Sequence, residues 1–178
     1  MGGGFSFQSI QEDLSVSFAT VRDWVDALES IYLCFLIRPY SKRIQGSIRK
    51  EPKVYFYHWP AVTDVGGRLE NMIACHLLKS IQAWTDSAIG EFNLCYIRDK
   101  QKREVDFCVT REGIPWLLVG VKNSSQAVSS ALAYYTDLLK PAWSVQLKTV
   151  GTPRRDYLTE NGSKILLLAA DEFVAALN

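Results

Sequence analysis

Arg103-Glu104-Val105-Asp106-Phe107, followed past a short turn by Trp116-Leu117-Leu118-Val119-Gly120-Val121-Lys122, is the stretch whose reading decides the fold. From Glu104 to Thr110 the residues alternate. Val105, Phe107 and Val109 fall on one face, and Glu104, Asp106, Cys108 and Thr110 on the other, which predicts a strand. The second run predicts another strand, with Gly120 and Lys122 on a common face by the same period of two, and Arg111-Glu112-Gly113 reads as the hairpin turn between them. Such a hairpin brings the start of the first strand beside the end of the second. A helix expected over about Arg68 to Ala83 carries Ile73, Ala74, Leu77, Ile81 and Trp84 on one stripe, and the extension of that stripe lands on Glu70. Asp106, Gly120, Lys122 and an inward-facing Glu70 are therefore expected to converge on one cleft.

Two or three carboxylates beside a lysine are what metal-dependent phosphodiester hydrolysis needs. The carboxylates hold Mg²⁺, which polarises the phosphate and activates water, while the lysine steadies the developing charge. Asp106, Glu70 and Lys122 are the candidate catalytic residues, and Asp106 and Glu70 the candidate metal ligands. Gly120 stands where a further acid would complete the acid-x-Lys pattern, so weak Mg²⁺ binding is expected. The plainer alternative is that Asp106 lies on a solvated strand face and Lys122 merely ends a strand; short motifs match by chance often enough to keep it open.

The rest of the chain divides near Pro60. In the first part, Ser9 to Leu14 is a short helical stretch. A longer helix capped by Ser17 carries Val21, Trp24, Val25, Leu28 and Ile31 at helical spacing. Tyr32 to Ile37 and Lys53 to Tyr57 read as strands flanking a basic loop. In the second part, strands are expected at Phe92 to Ile97, Trp143 to Thr149 and Ile165 to Leu168, with helices through Ala127 to Leu139 and Asp171 to Leu177. This makes a three-layer α/β sheet with an antiparallel flank. Trp24, Trp84, Trp116 and Trp143 sit at apolar periods and are read as core. With 178 residues, 48% of them apolar, and a net charge of +1, the chain suits one medium domain or two small ones. No apolar run reaches the roughly 20 residues of a membrane span, so no membrane partner is expected and the cytoplasm is the default location. Cys34, Cys75, Cys95 and Cys108 stand singly, as buried thiols do, and with two histidines a histidine-rich metal site is not expected.

Several blocks carry a resemblance over about residues 5 to 150. They are Phe7-Gln8-Ser9-Ile10, Thr20-Val21-Arg22-Asp23-Trp24, Ile48 to Phe56, Arg68-Leu69-Glu70-Asn71, Ala74 to Lys79, Tyr96 to Lys100 and Arg103 to Phe107. In this order they resemble the uncharacterised C-terminal domain of prokaryotic AAA-type ATPases, a family regarded as restriction-endonuclease-like, of the PD-(D/E)xK superfamily, with a leading winged helix. The resemblance implies a winged-helix-like segment at 1–59, with its first helix missing, and a restriction-endonuclease-like domain at 60–178. It implies that Glu70, Asp106 and Lys122 match the helix glutamate, the aspartate and the lysine, with Gly120 departing from the pattern. No G-x-x-x-x-G-K-[ST] phosphate loop is present, so no ATP site is expected here, and the ATPase domain is expected in a full-length relative. The chain is expected to be a clipped segment or shortened product.

Two basic clusters bear on nucleic acid. Lys42, Arg43, Arg49 and Lys50, with Arg38 and Lys53, surround the wing; Arg98, Lys100, Lys102 and Arg103 precede Asp106. The long helix instead shows Asp23, Asp26 and Glu29 against Arg22 and would be repelled by phosphates. The expected function is an accessory nuclease-like module that binds DNA or RNA through a degenerate metal site. The alternatives are an active metal-dependent nuclease and a non-enzymatic interaction domain that dimerises or docks on an ATPase.

Overall fold

The computed structural model describes residues 5–40, 51–122, 127–148 and 154–177. They form a mixed sheet and five helices, and the first half of the order follows from alternation and caps visible in the chain. β1 (Phe5–Ser6) runs into α1 (Phe7–Leu14). α2 (Phe18–Ser30) is capped as expected by Ser17, whose side chain accepts from the Thr20 amide at 3.1 Å. β2 (Cys34–Pro39) and β3 (Lys53–Phe56) pair antiparallel, and a 3-10 turn at Trp59–Ala61 leads to α3 (Val65–Asp86), capped by Asp64.

β4 (Phe92–Arg98), β5 (Glu104–Arg111) and β6 (Ile114–Val121) make an antiparallel meander. Its second turn places Glu112 (φ 52°) and Gly113 (φ 72°) in the left-handed region, the backbone that a two-residue hairpin loop requires. α4 (Ser130–Leu139), β7 (Trp143–Lys148), β8 (Arg155–Leu158), β9 (Lys164–Ala169) and α5 (Ala170–Ala176) complete the chain. The nine strands lie in the order β1-β3-β2-β4-β5-β6-β7-β9-β8, with β2–β4, β6–β7 and β7–β9 parallel. The sheet runs unbroken across the division expected near residue 60. No helix among the described residues is long and apolar enough to cross a membrane.

Three apolar clusters hold the layers. Phe35, Ile37, Tyr55, Phe107, Val109, Val119 and Leu147 meet Ile73, Ala74, Leu77 and Ile81 of α3 and Phe173 of α5 on one face. Cys108, Leu118 and Ile165 meet Leu132 and Tyr135 of α4 on the other. Cys34 and Val54 meet Phe7, Val21 and Val25, so α1 and α2 cover the outer side of the β2–β3 hairpin while α3 covers its inner side.

Several expectations are corrected. Trp24, Ile31 and Trp143 are 48%, 68% and 53% exposed, so the α2 stripe is narrower than its periodicity suggests: Val21 and Val25 are buried and Leu28 half-buried. Trp84 and Trp116 pack half-buried against the core, as expected. β1 and β8 are additions to the expected strands, and β8 is exposed at every position, with no apolar alternation to betray it. The single-face reading of β5 fails as well. Cys95 pairs with Cys108 and Ile97 with Val105, two steps on β4 against three on β5, so β5 carries one extra residue, a bulge between Val105 and Cys108. Val105 thereby joins the α4 side with Cys108, while Phe107 and Val109 face α3. The four thiols are free; Cys34 and Cys108 are buried and Cys75 and Cys95 half-buried.

Asn71 fixes α3 against β3. Its Nδ2 donates to the Phe56 carbonyl at 2.6 Å and its Oδ1 accepts from the Phe56 amide at 2.9 Å, copying a neighbouring strand at a buried point. Asn71→Ala leaves both backbone groups without these partners and should lower unfolding stability by about 2–3 kcal/mol, read as a fall in urea midpoint at unchanged slope. An unchanged midpoint would show that the clamp contributes nothing.

Candidate functional site: a lysine among carboxylates

The bulge in β5 aims Asp106 at α3. Glu70 reaches the same place from the second turn of α3, with 3% of its surface exposed, and the two carboxyls lie close enough for each to feel the other's charge. β3 supplies Lys53 and Tyr55, which alternate with Val54 and so face α3 together. The Tyr55 hydroxyl donates to Glu70 Oε1 at 2.7 Å, and the Lys53 ammonium lies 3.5 Å from the same oxygen and 2.6 Å from Glu104 Oε1. Arg98, the cross-strand partner of Glu104, reaches its other oxygen at 3.3 Å from the solvent side. Tyr96 lies under the Lys53 ammonium, 5.3 Å from ring centre to nitrogen.

Asp106 is also held by the backbone. Its Oδ2 accepts from the Val121 amide at 2.7 Å, and the regular β5–β6 pairing ends at Phe107 and Val119.

The electrostatics follow from burial and charge. Burial and the neighbouring Glu70 push the Asp106 carboxyl up to about 7, against the pull of Lys53 and the Val121 amide. Burial alone would lower the Lys53 ammonium, yet Glu70, Glu104 and Asp106 outweigh it and hold its pKa above the ordinary value. The Tyr55 phenol is raised, first by burial and then by Glu70. Lys53 and Arg98 face the three carboxylates, and the raised Asp106 carboxyl keeps a proton to near neutrality, which lessens their mutual repulsion.

The structure brings Glu70 and Asp106 together and turns the Gly120 position away from them. A Cβ on Gly120 would meet the Gln146 amide at 3.3 Å and Leu132 Cδ2 at 3.4 Å, which is the α4 side. Gln146 is fully buried, donates to the Gly120 carbonyl at 3.0 Å and accepts from the Ser129 amide at 3.2 Å. Lys122 follows Gly120 by two positions, is exposed, and gives its amide to the Leu147 carbonyl. Among the described residues no group of three His, Cys, Asp or Glu side chains could hold a metal ion. The Mg²⁺ implied by the resemblance does not fit here, because an ammonium already sits among the acids.

Lys53 and Tyr55 escape the sequence reasoning as site residues. Lys53 falls with the basic wing when charge alone is read, although its place in a strand with Val54, Tyr55 and Phe56 is the signal of a buried lysine. Of the wing residues, Lys42, Arg43, Arg49 and Lys50 lie outside the described residues. In the second cluster Arg98 pairs with Glu104. Arg103 donates to Asp99 at 2.6 Å and lies 3.7 Å above the Tyr134 ring. Lys100 and Lys102 are exposed at the β4–β5 turn. Asp99 is buried and also accepts from the Tyr135 hydroxyl at 2.9 Å, so that this turn is tied to α4.

A known family, described as a domain of unknown function (DUF8612), matches residues 1–58. No curated protein and no solved structure matches the chain.

Two outcomes follow from this geometry. Asp106 keeps its proton to a higher pH when folded than when unfolded, so between about pH 4 and 7 the folded state binds more protons and loses stability as pH rises. Asp106→Asn should therefore gain stability relative to the parent at pH 8 compared with pH 5 in urea unfolding; parallel pH profiles would refute the shift. Gly120→Glu should cost about 1–3 kcal/mol by forcing Gln146 and Leu132 aside, with no gain in Mn²⁺ affinity by titration. A stable Gly120→Glu that binds Mn²⁺ more tightly would mean that this side chain reaches the acids after all.

Proposed function

We propose that this chain is a nuclease-like module that holds nucleic acid without cutting it, an accessory to an AAA-type ATPase. The fold proposed is restriction-endonuclease-like, with α1, α2 and the β2–β3 hairpin taking the part of a shortened winged helix. One observation carries the reading: an aspartate at a bulged strand and a glutamate from the covering helix meet, as a metal-dependent nuclease requires, yet the cation between them is a lysine. Gly120 contributes no carboxylate, and a side chain there would face Gln146 and Leu132.

Nucleic-acid contact is assigned to Lys100 and Lys102, exposed beside this site, together with Lys42, Arg43, Arg49 and Lys50 between β2 and β3 in the sequence. Arg98 and Arg103 engage acids of the chain itself and add less. A second reading has its own support. Ile31, Tyr32, Leu33 and Tyr57 are exposed where α2 ends and at the base of the hairpin, which suits a surface for dimerisation or for docking on a protein.

Supercoiled plasmid incubated with Mg²⁺ or Mn²⁺ should stay intact, while labelled duplex or single-stranded nucleic acid should bind with a steep salt dependence. Reversing Lys42, Arg43, Arg49 and Lys50 together should abolish binding, and Lys100→Glu with Lys102→Glu should lower the salt slope by about one for each phosphate no longer engaged. Metal-dependent nicking by the parent chain would overturn the non-cleaving reading. Binding to neither DNA nor RNA at low salt would favour the docking surface.

A further inference from the structure

We propose that the fork between β2 and β4 is a receptor for an extended segment of a partner protein, which pairs its backbone with two open strand edges, sinks one apolar side chain between them and sets a lysine or arginine against Asp86. The fork shares no residue with the carboxylate cluster, and the proposal stands whether or not the chain binds nucleic acid.

Three observations carry it. First, two parallel neighbours in one sheet come apart. Among the described residues β2 and β4 pair only through Arg38 with Cys95 and Pro39 with Tyr96, although β2 begins at Cys34 and β4 at Phe92, while their other edges stay paired with β3 and β5. The register shows which backbone groups face the gap. The Tyr57 amide donates to the Leu33 carbonyl, so the alternate residues Phe35 and Ile37 bond to β3, and Leu36 turns its amide and carbonyl toward β4. The Tyr40 amide donates to the Tyr96 carbonyl, so Tyr96, and with it Leu94 and Phe92, turn their backbone toward β2. The Phe92 amide there donates to the Thr85 hydroxyl at 3.2 Å, a side chain standing where a strand would be.

Second, the gap has room. A cleft of about 300 Å³ lies between the edges, with Phe35 and Ile37 on one wall, Phe92 and Leu94 on the other, and Leu78 and Ile81 of α3 beside them. Ligand cavities run from about 300 to 1,000 Å³, so this one suits a side chain with its backbone and not a folded domain. Strand addition is recognised in this way, main-chain bonds supplying affinity and pockets for alternate side chains supplying specificity.

Third, the cleft is electronegative at its solvent side. Asp86 lines it, is exposed, and is the last residue of α3, whose final turn holds no basic residue; among the described residues it makes no ion pair. An acid at a helix C-terminus opposes the dipole, and a cation brought to it relieves both. From Ile81 to Asp86 is about 7.5 Å along the helix, and alternate side chains of an extended segment are about 6.7 Å apart. An apolar anchor at Ile81 and a cation two residues away on the same face therefore fit one strand.

The experiment uses the full chain, with fluorescein-labelled, acetylated heptapeptides as probes that carry leucine, isoleucine, methionine or phenylalanine at the centre and lysine two places to either side. Fluorescence anisotropy should show saturable one-to-one binding of at least one probe, and the amide resonances of Leu36 and Leu94 should shift. Asp86→Lys should weaken binding about tenfold, and probes with glutamate in place of lysine should recover affinity for that variant. A lysine suits the helix C-terminus, so the variant keeps its fold. Gln82→Trp, on the exposed side of α3 where it lines the cleft, should block binding at an unchanged thermal midpoint. Tyr32→Ser with Leu33→Ser, on the exposed surface at the end of α2, should leave binding as it is. Any of four results overturns the proposal: no probe binds, binding is indifferent to Asp86→Lys or to Gln82→Trp, binding is lost through Tyr32→Ser with Leu33→Ser, or a probe N-methylated along its backbone binds as tightly as its parent. Nucleic-acid binding is a separate measurement, so failure of one reading leaves the other to be judged by its own result.

Discussion

A carboxylate taken out of water must be given a counter-charge, a proton or several hydrogen bonds, and this molecule places three of them together. Glu70, Glu104 and Asp106 would repel one another across a few ångströms of low-dielectric interior if nothing stood between them. Lys53 stands there, Tyr55 and the Val121 amide bind carboxylate lone pairs, and Asp106 keeps a proton to near neutrality. Removing one member of a buried ionic group usually costs about 3–5 kcal/mol, because the partners are stranded and not merely because a bond is broken. The arrangement of β3, α3 and β5 is constrained accordingly: each must present its charge at one point.

Backbone irregularity makes that convergence geometrically possible. In a regular strand, Asp106 would lie on the opposite face from Phe107, among the residues that meet α4. The extra residue in β5 lets Phe107 pack near Tyr55, 5.8 Å between ring centres, while Asp106 feels the charge of Glu70 on the same side. A second irregularity, in β6 opposite Val109 and Thr110, sets the half-buried Trp116 against Trp84 and Phe92 on the α3 side, next to the core residue Leu117. Bulges at such points bend strands and re-aim side chains.

Most regular elements are legible in the sequence because alternation, caps and turn residues are local. Ser17, the Glu112-Gly113 turn and the stripe ending on Glu70 are readable from a few neighbouring residues, and the inward orientation of Glu70 follows. The face of Asp106 is not legible, since a bulge is a property of a pair of strands and leaves no mark on one of them. The same limit hides Gly120: a period of two places it with Lys122, but only the folded sheet shows Gln146 and Leu132 filling the space in front of it. Lys53 is misassigned when charge is read before strand position. Trp24 and Ile31 are misassigned for the reverse reason, since helical spacing states which residues share a side, not how wide the buried side is.

The join between β2 and β4 has a kinetic consequence. Only Arg38 with Cys95 and Pro39 with Tyr96 are paired there in backbone register among the described residues. Polar links of the β2–β3 hairpin to the meander include the Tyr40 amide on the Tyr96 carbonyl, the Tyr96 hydroxyl on the Glu51 carbonyl, and Lys53 on Glu104, beside the apolar packing of Tyr55 on Phe107. All of these link residues far apart along the chain, and loop closure delays such contacts until the local hairpins and helices exist. Interactions made after the rate-limiting step slow unfolding without speeding folding. If the Lys53 ion pairs form after that step, they would act as a latch, setting how long the hairpin stays docked once it has arrived rather than how quickly it finds its place.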